Sequence, residues 1–418
     1  MNEKKQKNKI VRKRHQRYVS VANVLIGPFL RRKVGFKSKR LKIKEHEPFL
    51  LVSNHVTAFD PILVTSAFNR QIYYVSSELI FSKGIISRML EHAFAPIPKA
   101  KSQNDVTSVK NMITVVKEGG NIGVFVEGNS TMNGAISNVP TAIGKLVLLM
   151  KIPLVIYNLE GGYLSNPRWS SAKRKGYTRG HIKQILQYED YKHMSADEIN
   201  EIIINGINVN AYDPKYKHAY PGKRNAEGLH RLLFTCPKCH GVNTVHAKKN
   251  TYSCHNCNFK MDYDEYGYLH STDFKTPQNT IELDHANKVA YQEIVLKDRQ
   301  FSVSVPGKMT EVFRCRRKHF GKAVLTLSRE GLDVSFNRKN MKDWHFSLDE
   351  IDTLAIQQKE VLVIYPKHEQ TKMLLIKNTE LVSSYQLLVT MQILKNELLM
   401  NDPSQTDAQK LSATAMGL

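Results

Sequence analysis

The sequence predicts an α/β chain: a central, mostly parallel sheet flanked by helices, then a small four-cysteine module and a β-rich unit closed by a helix. Three observations carry this fold class. Short apolar runs alternate with helical patterns over residues 48–160, as in layered α/β folds. The pairs Cys236-x2-Cys239 and Cys254-x2-Cys257 follow. From about residue 290 to 400, short β-type runs replace the alternation and a helical pattern ends them.

In order, residues 49–52 read as a buried strand, 61–68 as a helix, 72–75 as a strand and 85–92 as a helix. A short strand is expected at 94–97. Val106, Val109, Met112, Ile113 and Val116 fall at helical spacing, and Gly119-Gly120 ends that helix. Residues 121–126 and 153–157 read as strands, with helix Ala142–Met150 between them. Residues 161–230 hold a second basic run (Arg168, Lys173, Arg174, Lys175, Arg179), a helix over Ala196–Ile207 and a Tyr-, Lys-, Pro- and Gly-rich loop. In the last unit, 323–327, Leu332–Phe336, Trp344–Phe346, 361–365 and 373–376 read as strands, with a hairpin turn at 328–331. Leu381, Tyr385, Leu388, Met391 and Leu398 share one face of a closing helix. The expected boundaries are a basic, membrane-interfacial segment at 1–45, a catalytic domain at 46–230, a cysteine module at 231–270, a β-barrel module at 290–400 and a disordered tail at 401–418.

The formal net charge is +23 over 418 residues, which favours anionic partners. Residues 1–44 hold sixteen Lys or Arg against Glu3 alone. Within them, residues 18–30 form an apolar stretch too short to span a bilayer, which takes ~20 residues. Flanked by Arg17 and by Arg31-Arg32-Lys33, this stretch suits a segment lying in the membrane interface. No secretory signal peptide is legible. Four of the five cysteines sit in the paired motif, which suits a reducing compartment. Cys315, among Arg314, Arg316 and Arg317, reads as an ordinary half-buried thiol.

Two strand ends carry the candidate chemistry. Asn54-His55 to Asp60 follows the first strand. A histidine titrating near neutrality can take a proton from an alcohol, and a carboxylate can fix its tautomer. Asp60-Pro61 equally makes an ordinary helix start, with Asp as N-cap and Pro at the first helical position. Glu127-Gly128-Asn129-Ser130 follows another strand, where Glu127 can bond an acceptor hydroxyl and Gly128 permits close approach of backbone to ligand. Lys99 and Lys101 follow a short strand and can meet a phosphate.

These blocks together resemble the glycerolipid acyltransferase family, of the lysophosphatidic acid acyltransferase type. The chain shows Asn54-His55 to Asp60, Pro96-Ile97-Pro98-Lys99, Glu127-Gly128-Asn129-Ser130 and Ile152-Pro153-Leu154-Val155 in the family's order, over roughly residues 20–165. The resemblance implies direct transfer from an acyl thioester, on coenzyme A or acyl carrier protein, to a lysophospholipid hydroxyl. The expected acceptor is 1-acyl-sn-glycerol-3-phosphate. His55 would be the base and Asp60 its orienter, with substrate contacts from Asn54, Lys99, Glu127, Gly128, Asn129 and Ser130. Backbone N–H groups near Gly128 would stabilise the oxyanion. Lys99 and Ser130 stand where the family often has arginine, which weakens the case for a phosphomonoester acceptor. The expected place is the cytoplasmic side of the membrane, peripheral or monotopic.

Cys236, Cys239, Cys254 and Cys257 have the spacing of a closed, structural Zn2+ site in a zinc ribbon. The strands and closing helix of the last unit resemble a pleckstrin-homology-like barrel, in pattern only. A zinc-ribbon protein that binds nucleic acid, or a lipid-binding scaffold without catalysis, is the competing reading. Because the basic residues gather around the apolar N-terminal stretch, an anionic membrane is the expected partner and nucleic acid is not.

Overall fold

The computed structural model describes residues 9–39, 47–99, 106–137, 139–313, 316–336, 338, 341–357, 359–367, 372–378 and 382–401. Lys101, Arg314, Cys315, Leu381 and the tail beyond Asn401 lie outside them. Two compact units form: Met1–Pro167 with Arg174–Pro221, and Arg168–Lys173 with Gly222–Leu418.

The first unit is built on strands β1 (Phe36–Ser38), β2 (Leu50–Ser53), β3 (Ile72–Ser77), β4 (Ile97–Lys99), β5 (Asn121–Phe125), β6 (Leu154–Glu160) and β7 (Thr178–Leu186). Their order in the sheet is β1-β7-β6-β2-β5-β3-β4. Strands β2 to β6 run parallel, β7 is antiparallel to β6, and β1 pairs parallel with β7. Helices α1 (Lys13–Leu25), α2 (Gly27–Val34), α3 (Asp60–Phe68), α4 (Ile85–Phe94), α5 (Val106–Lys117), α6 (Ala142–Met150) and α7 (Ala196–Ile207) flank it. Strands covered on both faces read as unbroken apolar runs, which is why β2 and β6 are buried throughout. One core packs Leu50, Val52, Ile122 and Ile156 of the sheet against Val115, Val147, Ile199 and Ile203 of the helices.

The sheet departs from the expected elements at three places. Helix α4 runs on to Phe94, so the short strand begins at Ile97 rather than 94. The second basic run leads into β7, whose outward positions are polar and hide its strand pattern. The apolar N-terminal stretch is two helices, broken where Pro28 enters at the start of α2. Helix α1 is anchored by buried His15, whose Nδ1 lies 3.0 Å from the Tyr73 hydroxyl, and by the Val11 N–H donating to Glu118 Oε2 at 2.7 Å.

The second unit opens with an antiparallel sheet of β8 (Val245–Lys248), β9 (Thr251–Cys254), β10 (Lys260–Tyr263) and β11 (Leu269–His270). Helix α8 (Thr280–Lys297) follows, started by a capping box between Asn279 and Glu282. Then come β12 (Ser302–Phe313), β13 (Arg316–Ser328), β14 (Leu332–Phe336), β15 (Trp344–Phe346), β16 (Ile351–Gln357), β17 (Val361–Pro366), β18 (Lys372–Asn378) and closing helix α9 (Ser384–Asn401). Their order is β15-β14-β13-β12-β18-β17-β16, antiparallel throughout. The turn between β13 and β14 is closed by paired backbone bonds between Ser328 and Gly331.

Gly123 of β5 shows how tightly the sheet centre is built. A methyl group there would overlap the Tyr74 ring. Replacing Gly123 with alanine is expected to destabilise the protein by about 1–3 kcal/mol, the usual cost of overpacking. Urea unfolding of the two proteins measures it.

Candidate active site

His55 and Asp60 meet in the turn between β2 and α3, at the carboxyl edge of the sheet. Asp60 Oδ2 lies 2.8 Å from His55 Nδ1 and also accepts the Val56 N–H at 2.6 Å and the Thr57 N–H at 2.8 Å. Asp60 Oδ1 accepts the Thr57 hydroxyl at 2.7 Å. Asp60 is only 1% exposed, so these four donors replace its water. A carboxylate only accepts, so His55 Nδ1 carries the hydrogen, and in the neutral ring Nε2 keeps its lone pair.

The ordinary helix start is not what forms. Asp60 is the first residue of α3 and Phe59 takes the cap position, with no side-chain cap bond. The carboxylate points back into the turn, toward the histidine. Phe125 holds the other side of the imidazole: the two rings stack at 4.6 Å, and Tyr74 stacks beneath Phe125 at 5.4 Å. Neither Thr57 nor Phe125 figured in the sequence reading. Thr57 stands inside the motif, three residues before Asp60, where a hydroxyl can reach its carboxylate.

Glu127 bonds the protein itself. Its Oε1 accepts the His55 N–H at 2.7 Å and its Oε2 accepts the Ser137 N–H at 2.7 Å. It thereby ties the histidine turn to the following loop, and the Thr131 N–H donating to the His55 carbonyl at 3.0 Å adds a third tie. Asn54 likewise spends its amide on backbone, exchanging bonds of 2.8 Å with both the N–H and the carbonyl of Leu159. Gly128 adopts φ +68°, with no atom within 4 Å of where a Cβ would stand, so its need for glycine is conformational. Its own N–H donates to the Phe125 carbonyl at 3.0 Å and is already engaged. Asn129 and Ser130 follow, half-buried.

A pocket opens on His55, walled by Glu127, Thr131, Ile136, Tyr163 and Ala211 among others. Lys99 does not join it. Lys99 is exposed at the end of β4, three strands from β2, or about 14 Å at the usual ~4.8 Å spacing.

In the second unit the four cysteine Sγ atoms lie within 4.8 Å of one another. Cys236 and Cys257 are 3.6 Å apart, and Cys239 and Cys254 3.8 Å. A tetrahedral site with ~2.3 Å zinc–sulfur bonds has edges of about 3.8 Å, so the thiols can hold such a metal. Backbone turns preset them: the His240 N–H donates to the Cys236 carbonyl at 3.0 Å. The left-handed residue of that turn is His240, at φ 59°. Gly241 serves close packing, since a methyl there would crowd the Thr244 side chain.

Burial pushes the Glu127 carboxyl up to about 7, partly offset by the N–H groups of Ser137 and His55. A group that binds its proton more tightly when folded contributes stability that is full below pH ~4.5 and is lost as pH rises through about 7. Between those values wild type should lose up to about 3 kcal/mol that Glu127→Gln does not lose. Denaturant unfolding of both proteins at pH 5 and pH 8 checks this; parallel losses would contradict it.

The family model described as Acyltransferase matches residues 36–157. No curated protein matches the chain. Among solved structures, the 1-acyl-sn-glycerophosphate acyltransferase PlsC from Thermotoga maritima is similar at 14% identity and TM-score 0.39, covering 50% of this chain and 82% of that one. The N-terminal PH domain of human ARAP2 is similar at 16% identity and TM-score 0.19, covering 25% of this chain and 86% of that one. The FERM and C-terminal domain complex of Drosophila Merlin is similar at 9% identity and TM-score 0.18, covering 31% and 46%. The matched span holds His55, Asp60, Lys99 and Glu127, and through it residues 36–157 belong to the acyltransferase family.

Proposed function

We propose that the protein is a membrane-associated O-acyltransferase. It moves an acyl chain from a thioester of coenzyme A or acyl carrier protein to the free hydroxyl of a lysophospholipid, with 1-acyl-sn-glycerol-3-phosphate giving phosphatidic acid as the best fit. The observation that carries this reading is His55: Asp60 holds its Nδ1, and its other nitrogen remains for a ligand in the pocket. In the reaction Nε2 takes the acceptor's hydroxyl proton as that oxygen attacks the thioester carbonyl. The tetrahedral intermediate then expels the thiolate, which recovers the proton from the imidazolium. Asp60 keeps the ring oriented and stabilises its charged form.

The membrane part of the proposal is supported by exposed apolar side chains on neighbouring helices. Val24 of α1 and Ile85 of α4 are 73% and 74% exposed, with Leu25, Phe29, Ile86 and Met89 also in the open. Tyr18 of α1 packs edge-on against His92 of α4 at 5.9 Å, which joins the helices into one surface. Arg17, Arg32 and Lys33 are exposed on α1 and α2, placed to meet lipid phosphates. Among the described residues no helix is long and apolar enough to cross a membrane. A peripheral or monotopic seat on the cytoplasmic face accords with this.

The four thiols would hold a structural zinc that pins the two knuckles of the ribbon. The transfer chemistry above does not use it.

His55→Ala should lower kcat by about 10^3-fold or more, and Asp60→Asn by about 10^2- to 10^4-fold, in an assay with lysophosphatidate and an acyl thioester. Thioester-dependent acylation that persists in His55→Ala would sink the proposal. Elemental analysis should find one zinc per chain, and a strong chelator should lower the thermal midpoint. A Cys254→Ser protein that keeps full zinc and the same midpoint would contradict the ribbon assignment.

A further inference from the structure

Strands β6, β7 and β1 form the flank of the sheet opposite Lys99, and their carboxyl-edge residues make a polar cluster that the reaction above does not use. Glu160 at the end of β6 stands in register with Arg179 of β7, which stands in register with Lys37 of β1. Residues paired in register project to one face. Lys37 and Arg179 are both exposed, and among the described residues neither has an acidic partner within ion-pair distance. Two like charges set side by side repel unless an anion lies over them.

Ring groups converge on the same place. Lys37 Nζ sits 5.4 Å above the Tyr177 ring, and His218 packs on that ring at 4.5 Å. His181, in register with Asn158, has its Nδ1 3.6 Å from Glu160 Oε1. Glu160 is only 3% exposed and shares a side-chain hydrogen bond with Tyr216, while its Oε2 has no hydrogen-bond partner, and neither has Asn158 Oδ1. The cluster thus offers cations outside and unsatisfied acceptors beneath. It adjoins the pocket, whose wall includes Leu159 and Gly161 on either side of Glu160.

We propose that this flank binds the phosphate-bearing carrier of the acyl donor, the phosphorylated pantetheine arm shared by coenzyme A and acyl carrier protein. The inference rests on the acyl-thioester reading of His55. Arg179 and Lys37 lie two and three strands from β2, about 10 and 14 Å at ~4.8 Å per strand. A pantetheine arm spans such a gap, so its thioester reaches His55 while its phosphate reaches the two cations. Sites in open α/β sheets gather outside the strands' carboxyl ends, as both flanks do.

The test compares wild type with Lys37→Ala/Arg179→Ala, using one acyl chain as its coenzyme A, acyl carrier protein and N-acetylcysteamine thioesters. The last carries no phosphate. The ratio of kcat/KM for a phosphate-bearing donor to that for the phosphate-free one should fall on the order of 10-fold, the weight of a charge-assisted contact. A fall in only one phosphate-bearing arm identifies the source. Equal falls in all three arms, no fall in any, or a raised KM for lysophosphatidate instead would overturn the proposal. The single change Arg179→Gln should act in the same direction while keeping the side chain's bulk. If wild type transfers no acyl group, the reading of His55 has failed. Calorimetric titration of coenzyme A and phosphopantetheinylated carrier protein into the full chain then decides this inference separately. Binding weakened about 10-fold in the double variant supports it; unchanged binding, or none to wild type, overturns it.

Discussion

The Asp60 carboxylate is the interaction on which the rest of the site depends. Buried to 1% exposure, it is tolerable only because four donors converge on it: the His55 ring, two backbone N–H groups and the Thr57 hydroxyl. Those donors all come from residues 55–57, so the carboxylate folds the turn around itself and fixes the imidazole in the same act. Removing it would leave a turn without its acceptor as well as a histidine without its partner. The pair therefore belongs equally to the fold and to the chemistry.

Around this turn, Glu127 and Asn54 do for the backbone what Asp60 does for the ring. Glu127 bridges β5's exit loop to the His55 N–H, and Asn54 joins the end of β2 to Leu159 of β6. Three parallel strands are thus locked at their carboxyl ends, where the pocket opens. A base that must be held to about 0.5 Å needs such support. The Phe125 and Tyr74 stack adds packing against the face of the ring.

Much of this was legible in the sequence, because the decisive features are local. His55 and Asp60 are five residues apart, each cysteine pair is separated by two residues, and helices such as Val106–Lys117 and Ala196–Ile207 declare their spacing. The parts that escaped reading depend on distant partners or on exposed strands. Glu127 looked like a substrate contact because its acceptors' donors lie 72 and 10 residues away in the chain, on backbone that no residue type reveals. Asn54 pairs with Leu159 across 105 residues for the same reason. Strand β7 was hidden by its run of cations, and β12 by Pro306 and Gly307 within it. Helix α8 was missed although Asn279 and Glu282 announce its start.

Catalysis by His55 depends on which of its ring nitrogens carries the hydrogen. Nitrogen-15 NMR of the full chain with labelled histidine, assigned to His55 by comparison with His55→Ala, reads which ring nitrogen carries the hydrogen near neutral pH. The structure predicts that the neutral ring is the Nδ1–H tautomer, hydrogen-bonded to Asp60; Asp60→Ala should remove that preference. An Nε2–H form in wild type, or a preference unchanged in Asp60→Ala, would contradict the claim that Asp60 aims His55 as the base.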